Sequence, residues 1–236
     1  MHRSQLGAST MRYAATLLAP VLLSSVLGPA GAAERPVVVE LFTSQSCSSC
    51  PPAEALLGRL AHEGADVLPL AFHVTYWNHL DWRDAYSLPA ATARQSAYAA
   101  RLRGPSYTPQ AVVDGHLDVL GSDEAALRAA VARARAWRSV PVFLVRDGGG
   151  LAVKLGAASG SGSVVLVGFD PSHTTRVARG ENAGRTIEQA NIVRSLREIG
   201  RWSGAAMTLS TPLPAGETAA VLVQAPDGTI LGAARL

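Results

Sequence analysis

The chain has 236 residues, 48% of them hydrophobic and 17% charged, which is apolar material enough for one or two domains and excludes a wholly disordered or collagen-like chain. Its 21 basic and 18 acidic residues give a net charge of +3. Without Arg3 and Arg12, which fall in a leader-like segment, 19 basic residues face 18 acidic ones, and no concentrated basic face is left for nucleic-acid binding.

Arg3 and Arg12 precede an apolar run from Tyr13 to Leu27, and Gly28, Pro29 and the small residues 30–33 (AGAA) follow. Positive, then apolar, then small is the order of a secretory signal. Residues 1–33 are therefore expected to be a signal peptide, cleaved after Ala32 or Ala33. A membrane anchor would need roughly 20 apolar residues, and this run is shorter and broken by Pro20. No later apolar run is long enough to span a bilayer, so the expected compartment is periplasmic or secreted.

Val37 to Phe42 (VVVELF) reads as a buried strand. Cys47-Ser48-Ser49-Cys50 follows, then Pro51-Pro52, then Ala53 to Ala61 with Leu56, Leu57 and Leu60 at helical spacing. Gly64 ends that helix, and Val67 to Val74 (VLPLAFHV) is a second buried strand, completing a parallel βαβ unit. Tyr76 to Leu88 reads as a loop and Ala90 to Leu102 as a helix. After Tyr107-Thr108-Pro109, Gln110 to Asp114 and Leu117 to Leu120 form a hairpin around Asp114-Gly115. Ser122, with Asp123 and Glu124, caps a helix running to about Trp137. The sum, β-α-β-α-β-β-α over residues 36–137, is a thioredoxin-like order.

From Val140 the pattern changes to short strands and turns: Val140 to Val145, Leu151 to Leu155, Val164 to Phe169, Ala219 to Gln224 and Ile230 to Ala233. Residues 139–236 are expected to form a smaller β-rich, sandwich-like C-terminal domain. Ile187 to Ile199 fits both a helix and a strand and stays open.

The two cysteines admit three readings. As a structural staple the pair closes a very short loop and contributes little. As a metal site it needs ligands from elsewhere, His73 and His79 being nearest, and one Cys-x-x-Cys without a second pair is a weak zinc signal. As a redox pair it explains the most: a helix N-terminus favours thiolate at Cys47, and Cys50 can resolve a mixed disulfide.

The segments Val38 to Leu57 (VVELFTSQSCSSCPPAEALL) and Ala71 to Trp82 (AFHVTYWNHLDW), the steps Tyr107-Thr108-Pro109-Gln110 and Val113-Asp114-Gly115, and Arg179 to Arg185 (RGENAGR) together resemble an exported bacterial family. It is known as domain of unknown function 1223 and placed in the thioredoxin-like superfamily. The resemblance implies that Thr108-Pro109 is the cis-proline step facing the Cys pair, with Tyr107, Thr108 and Pro109 along a substrate groove. It also implies that Glu40, on the strand before the pair, relays the proton of the resolving thiol. That position lies one residue further from Cys47 than in thioredoxin, and a partly exposed or paired Glu40 is the competing reading. Pro51 and Pro52 depart from the superfamily pattern and imply a helix that starts late or kinks beside the thiols.

His73, Tyr76, Trp77, His79 and Trp82 cluster after the second strand. They form either a substrate or metal wall, with Trp77 on the substrate, or a loop packed by its own aromatics, which is the favoured reading. Residues 180–186 (GENAGRT) faintly imitate a phosphate loop but are one residue short with Arg for Lys, and read as a structural turn. The expected function is thiol-disulfide exchange with the thiols or disulfides of periplasmic proteins, with Cys47 as nucleophile, Cys50 as resolver and no cofactor. The alternatives are a copper-binding or metal-delivery module using Cys47 and Cys50 with His73 or His79, and a non-catalytic protein-binding scaffold.

Overall fold

The computed structural model describes residues 1–2, 35–137 and 139–236, so the expected signal segment lies, apart from its first two residues, outside the described residues. Among the described residues no helix is long and apolar enough to cross a membrane.

β1 (Val37–Thr43) and β2 (Val67–His73) are parallel neighbours and every residue of both is buried. Both faces of each strand are covered, which is why their sequences are continuous apolar runs without alternation. Between them α1 (Pro51–His62) turns Ala53, Leu56, Leu57 and Leu60 inward. Pro51 and Pro52 neither delay nor kink it: they are its first two residues, after Cys50 as N-cap, where a helix leaves its N–H groups unbonded anyway and a missing N–H costs nothing.

The Tyr76–Leu88 loop leads into α2 (Pro89–Leu102). β3 (Gln110–Val113) and β4 (Leu117–Leu120) pair as the expected hairpin, with Asp114 (φ 46°) and Gly115 (φ 68°) both left-handed at its turn. α3 (Glu124–Ala134) is capped by Asp123, whose side chain accepts the Ala126 N–H, and ends three residues short of Trp137.

The second half supplies β5 (Val142–Asp147), β6 (Gly150–Leu155), β7 (Gly162–Arg176), β8 (Thr186–Trp202), β9 (Met207–Pro212), β10 (Thr218–Gln224) and β11 (Ile230–Arg235). The ambiguous stretch Ile187 to Ile199 is strand throughout, inside β8. Its register against β7 shifts at Val164/Val165 and Gly168/Phe169, and such bulges break the strict two-residue alternation that would have marked it as strand.

The chain makes an α/β structure with a large central sheet of order β11-β10-β7-β8-β2-β1-β3-β4 and a small sheet β5-β6-β9. The boundary expected near 137–139 falls between α3 and β5, and strands from both sides of it share the central sheet through the parallel contact of Ala71 with Ile192. Residues Ala33–Leu236 belong to one compact unit. On one face of the sheet Phe42, Leu70 and Phe72 pack with Tyr98 of α2 and with Val165, Val167 and Leu222. On the other, α1 and α3 cover Val39, Leu41 and Ala111. Further along, the small sheet covers Val164, Leu166 and Val221.

Candidate active site

The cysteines sit where β1 gives way to α1. Cys47 N–H donates to Ser44 O (3.1 Å) and Cys50 N–H to Cys47 O (3.2 Å), closing a turn that brings the two Cα atoms to 5.4 Å as a disulfide. Both cysteines are buried, whereas Ser48 and Ser49 between them are exposed. A partner therefore meets the turn before it meets sulfur.

The Thr108-Pro109 peptide is cis, as expected. Thr108 Oγ1 donates to Cys47 Sγ at 3.3 Å and itself accepts the Trp77 indole N–H at 2.8 Å. Ser49 Oγ lies 3.4 Å from the same sulfur. Two hydroxyls thus converge on Cys47 Sγ, and among the described residues no side chain hydrogen-bonds Cys50 Sγ. Trp77, read from sequence as more plausibly self-packed, is tied to the Cys pair through Thr108. Tyr107 instead donates to Asp118 Oδ2 (3.3 Å), and its phenol is pushed up to about 12 by burial and by that carboxylate.

Glu40 does not stand beside the thiols as a relay. It is fully buried, with its carboxylate held by Arg94 Nε (2.5 Å) and Nη2 (2.7 Å) and by the Tyr98 hydroxyl (3.0 Å). Arg94 also lies over the Tyr98 ring, 5.1 Å from its centroid. A buried carboxylate in low dielectric needs such a partner, and Arg94 makes Glu40 part of a structural ion pair.

A buried carboxyl stands one helical turn after Cys50, on Glu54, whose backbone N–H donates to Cys50 O at 3.1 Å. Thr43 Oγ1 donates to its Oε1 at 2.7 Å, while Oε2 is buried without a partner. Burial pushes the Glu54 carboxyl up, more than the nearby His73 charge and the Thr43 hydroxyl pull it down. Such a group is poised to hold a proton.

Behind it, His73 Nδ1 lies 2.7 Å from Asp84 Oδ2 and its Nε2 lies 3.2 Å from the Gln189 amide nitrogen. Burial works against the imidazolium, but the Asp84 charge and hydrogen bond, with Glu54, outweigh it and hold His73 above its usual value. Burial likewise works against the Asp84 carboxylate, and His73 with the backbone N–H groups of Gln45 and Tyr86 holds it below its usual range. Both nitrogens of His73 are engaged in these bonds, and the exposed His79 turns Nδ1 to the Tyr76 carbonyl (2.6 Å). Among the described residues, the His, Cys, Asp and Glu atoms that converge are those of Asp170, His173 and Glu217, and there Arg194 and His173 already pair with Asp170.

Sequence reasoning missed Glu54, Asp84, Gln189, Glu181 and Asn182. For Glu54 a signal existed, since it stands four residues after Cys50 on a helix whose other inward residues are apolar. Glu181 and Asn182 lie in the Arg179–Arg185 segment that carries the family resemblance, but its local pattern reads as a structural turn and points to no partner: Asn182 Nδ2 donates to the carbonyls of Gln45 (3.0 Å) and Cys47 (2.9 Å), more than 130 positions away.

The family described as "Protein of unknown function (DUF1223)" matches residues 38–224. A crystal structure of a protein from Agrobacterium tumefaciens is similar, with a TM-score of 0.75 and 33% identity over 85% of this chain and 93% of that one. HBP35 of Porphyromonas gingivalis shares the fold, with a TM-score of 0.57 at 13% identity over 86% of this chain and 75% of its own. No curated protein matches the chain.

Proposed function

The chain belongs to the DUF1223 family of proteins of unknown function, and we propose that this member is a thiol-disulfide oxidoreductase acting on the cysteines of other exported proteins, in the periplasm or outside the cell. Residues 36–137 serve as its thioredoxin-like part, and residues 139–236 as a β-rich extension. The compartment follows from the leader-like residues 1–33, because a pair such as Cys47–Cys50 cycles where disulfides persist.

The observation that carries this reading is the convergence of Thr108 Oγ1 and Ser49 Oγ on Cys47 Sγ. Hydroxyl donors stabilise a thiolate, and they do so at Cys47 and not at Cys50. In the oxidised protein a substrate thiolate attacks Cys47 Sγ, the Cys47–Cys50 bond breaks, and Cys50 leaves as a thiolate that takes up a proton. Glu54, a turn below with its raised proton affinity, supplies it. A second substrate thiolate then attacks the substrate sulfur of the mixed disulfide and releases Cys47 as the thiolate that Thr108 and Ser49 hold. Two electrons pass from the substrate dithiol to the protein, and the reverse sequence reduces a substrate disulfide.

The test is trapping. Cys50→Ser keeps the attacking sulfur and removes the resolving one, so non-reducing gels of periplasmic extracts should show reducible high-mass adducts that Cys47→Ser lacks. If neither variant traps a partner and the wild-type disulfide does not exchange with glutathione, the reading fails and a binding scaffold replaces it.

A further inference from the structure

Residues 177–185 join β7 to β8 as a tip folded on itself: Val177 N–H donates to Arg185 O and Gly184 N–H to Val177 O, both at 2.9 Å. The tip reaches back to the Cys turn. Asn182 is fully buried and holds the carbonyls of Gln45 and Cys47, as described above. Its neighbour Glu181, exposed, accepts the Ser48 N–H through Oε2 at 3.1 Å. Gly180, left-handed with φ +77°, lets the tip pass Trp82, whose Cβ would stand 3.2 Å from any Cβ at this position.

A helix start normally turns free N–H groups toward a thiolate beside it. In α1 that supply is cut short. Pro51 and Pro52 have no N–H, and the Ala53 N–H is committed to Cys50 O at 2.9 Å. A Cys47 thiolate then depends on side-chain hydroxyls and on the amides of its own turn, and the first of these, Ser48 N–H, is held by a carboxylate.

Resting on the exchange reading above, we propose that Glu181 is a positioning residue that restrains Cys47: it takes the Ser48 amide and places a negative charge beside the turn, disfavouring the Cys47 thiolate and favouring the disulfide. Asn182 is its anchor, fixing the tip to the backbone on both sides of Ser46. Glu181 touches neither sulfur and acts through the amide and through its field. In the equilibrium with glutathione, two glutathione thiols reduce the protein disulfide to a dithiol and leave as one glutathione disulfide. Removing the Glu181 charge stabilises only the reduced, ionised side of that balance.

Glu181→Gln keeps an acceptor for Ser48 N–H and removes the charge, while Glu181→Ala removes both. Both change an exposed side chain and leave Asn182 in place. On purified, folded protein at pH 7 and low salt, two quantities are measured: the rate at which iodoacetamide alkylates reduced Cys47, and the glutathione ratio that half-reduces the disulfide. We expect Glu181→Gln to alkylate about threefold to tenfold faster, or to shift the glutathione equilibrium toward dithiol by a similar factor, and Glu181→Ala to do at least as much. If neither quantity changes in either variant, or the equilibrium moves toward the disulfide, Glu181 has no such role. A wild-type protein that fails to exchange with glutathione overturns the exchange reading instead, and the alkylation rate still reports on Glu181.

Discussion

The Thr108 hydroxyl stands 3.3 Å from Cys47 Sγ and is aimed there by the Trp77 indole N–H, 2.8 Å from Thr108 Oγ1. The indole occupies one of the hydroxyl's two acceptor positions, and the hydroxyl gives its single proton to the sulfur. A residue of the 76–88 loop thereby orients a donor on a different loop toward the reactive atom.

Thr108→Val keeps the shape of the side chain and deletes the donor. A hydrogen bond to a charged group contributes roughly 1.5–3 kcal/mol, so the reduced variant should be alkylated by iodoacetamide at neutral pH about tenfold more slowly. Trp77→Phe should give a smaller effect of the same sign. Equal rates in wild type and Thr108→Val would remove Thr108 from the site.

Glu54→Gln preserves the acceptor for Thr43 Oγ1 and abolishes proton exchange. General acid-base catalysis contributes about 10²–10⁴-fold where a side chain carries it, so stopped-flow exchange with a small disulfide should slow at the Cys50 step by at least about tenfold. Formation of the first mixed disulfide by a reduced Cys50→Ser protein should be indifferent to Glu54. Unchanged kinetics in Glu54→Gln would mean that water handles the proton.

Glu40→Gln, by contrast, touches a structural pair. It leaves Arg94 buried with a neutral partner, and breaking a buried ion pair costs about 3–5 kcal/mol. Denaturant midpoints should fall while exchange by the folded fraction keeps its rate. Slower exchange without loss of stability would return Glu40 to the chemistry.

The buried cluster around His73 predicts a pH profile. His73 binds its proton more tightly in the folded state than at the ordinary value of 6.5, so its stabilisation is complete below 6.5 and is lost as pH rises through the folded value. Glu54 acts in the same direction from 4.5 upward, since its folded value is also raised. Asp84 is lowered from 3.8, and its stabilisation is present above that pH and lost on further acidification. The melting temperature should decline from mildly acidic toward alkaline pH, and His73→Gln should flatten the part above 6.5. Asp84→Asn, which strips a buried imidazolium of its counter-charge, should cost about 3–5 kcal/mol near neutral pH. A wild-type melting temperature rising steadily from pH 6 to 9 would contradict the imidazolium assignment.

What could be read along the chain was whatever has a local physical cause. Val37 to Phe42 and Val67 to Val74 are apolar runs too short for a buried helix and so read as buried strands, Leu56, Leu57 and Leu60 recur at a helix's spacing, and Asp114-Gly115 tolerates the left-handed backbone of a tight turn. These give the β-α-β-α-β-β-α order and place Cys47 and Cys50 at a strand-helix junction, which is most of the candidate site. Tertiary structure decided the rest, because a buried polar group is defined by its partner and the partners are distant. Glu40 could be a relay or half of an ion pair until Arg94, 54 positions on, closed the choice. Ile187 to Ile199 could be helix or strand until β7 supplied its hydrogen bonds. The segment around Asn182 has the composition of any turn, and it became part of the Cys site only when the β7–β8 hairpin carried it to the carbonyls of Gln45 and Cys47. The Gln45 carbonyl lacks a helix or sheet partner and must be satisfied from elsewhere in the fold, and the Cys47 carbonyl takes the Asn182 amide besides the Cys50 N–H of its own turn.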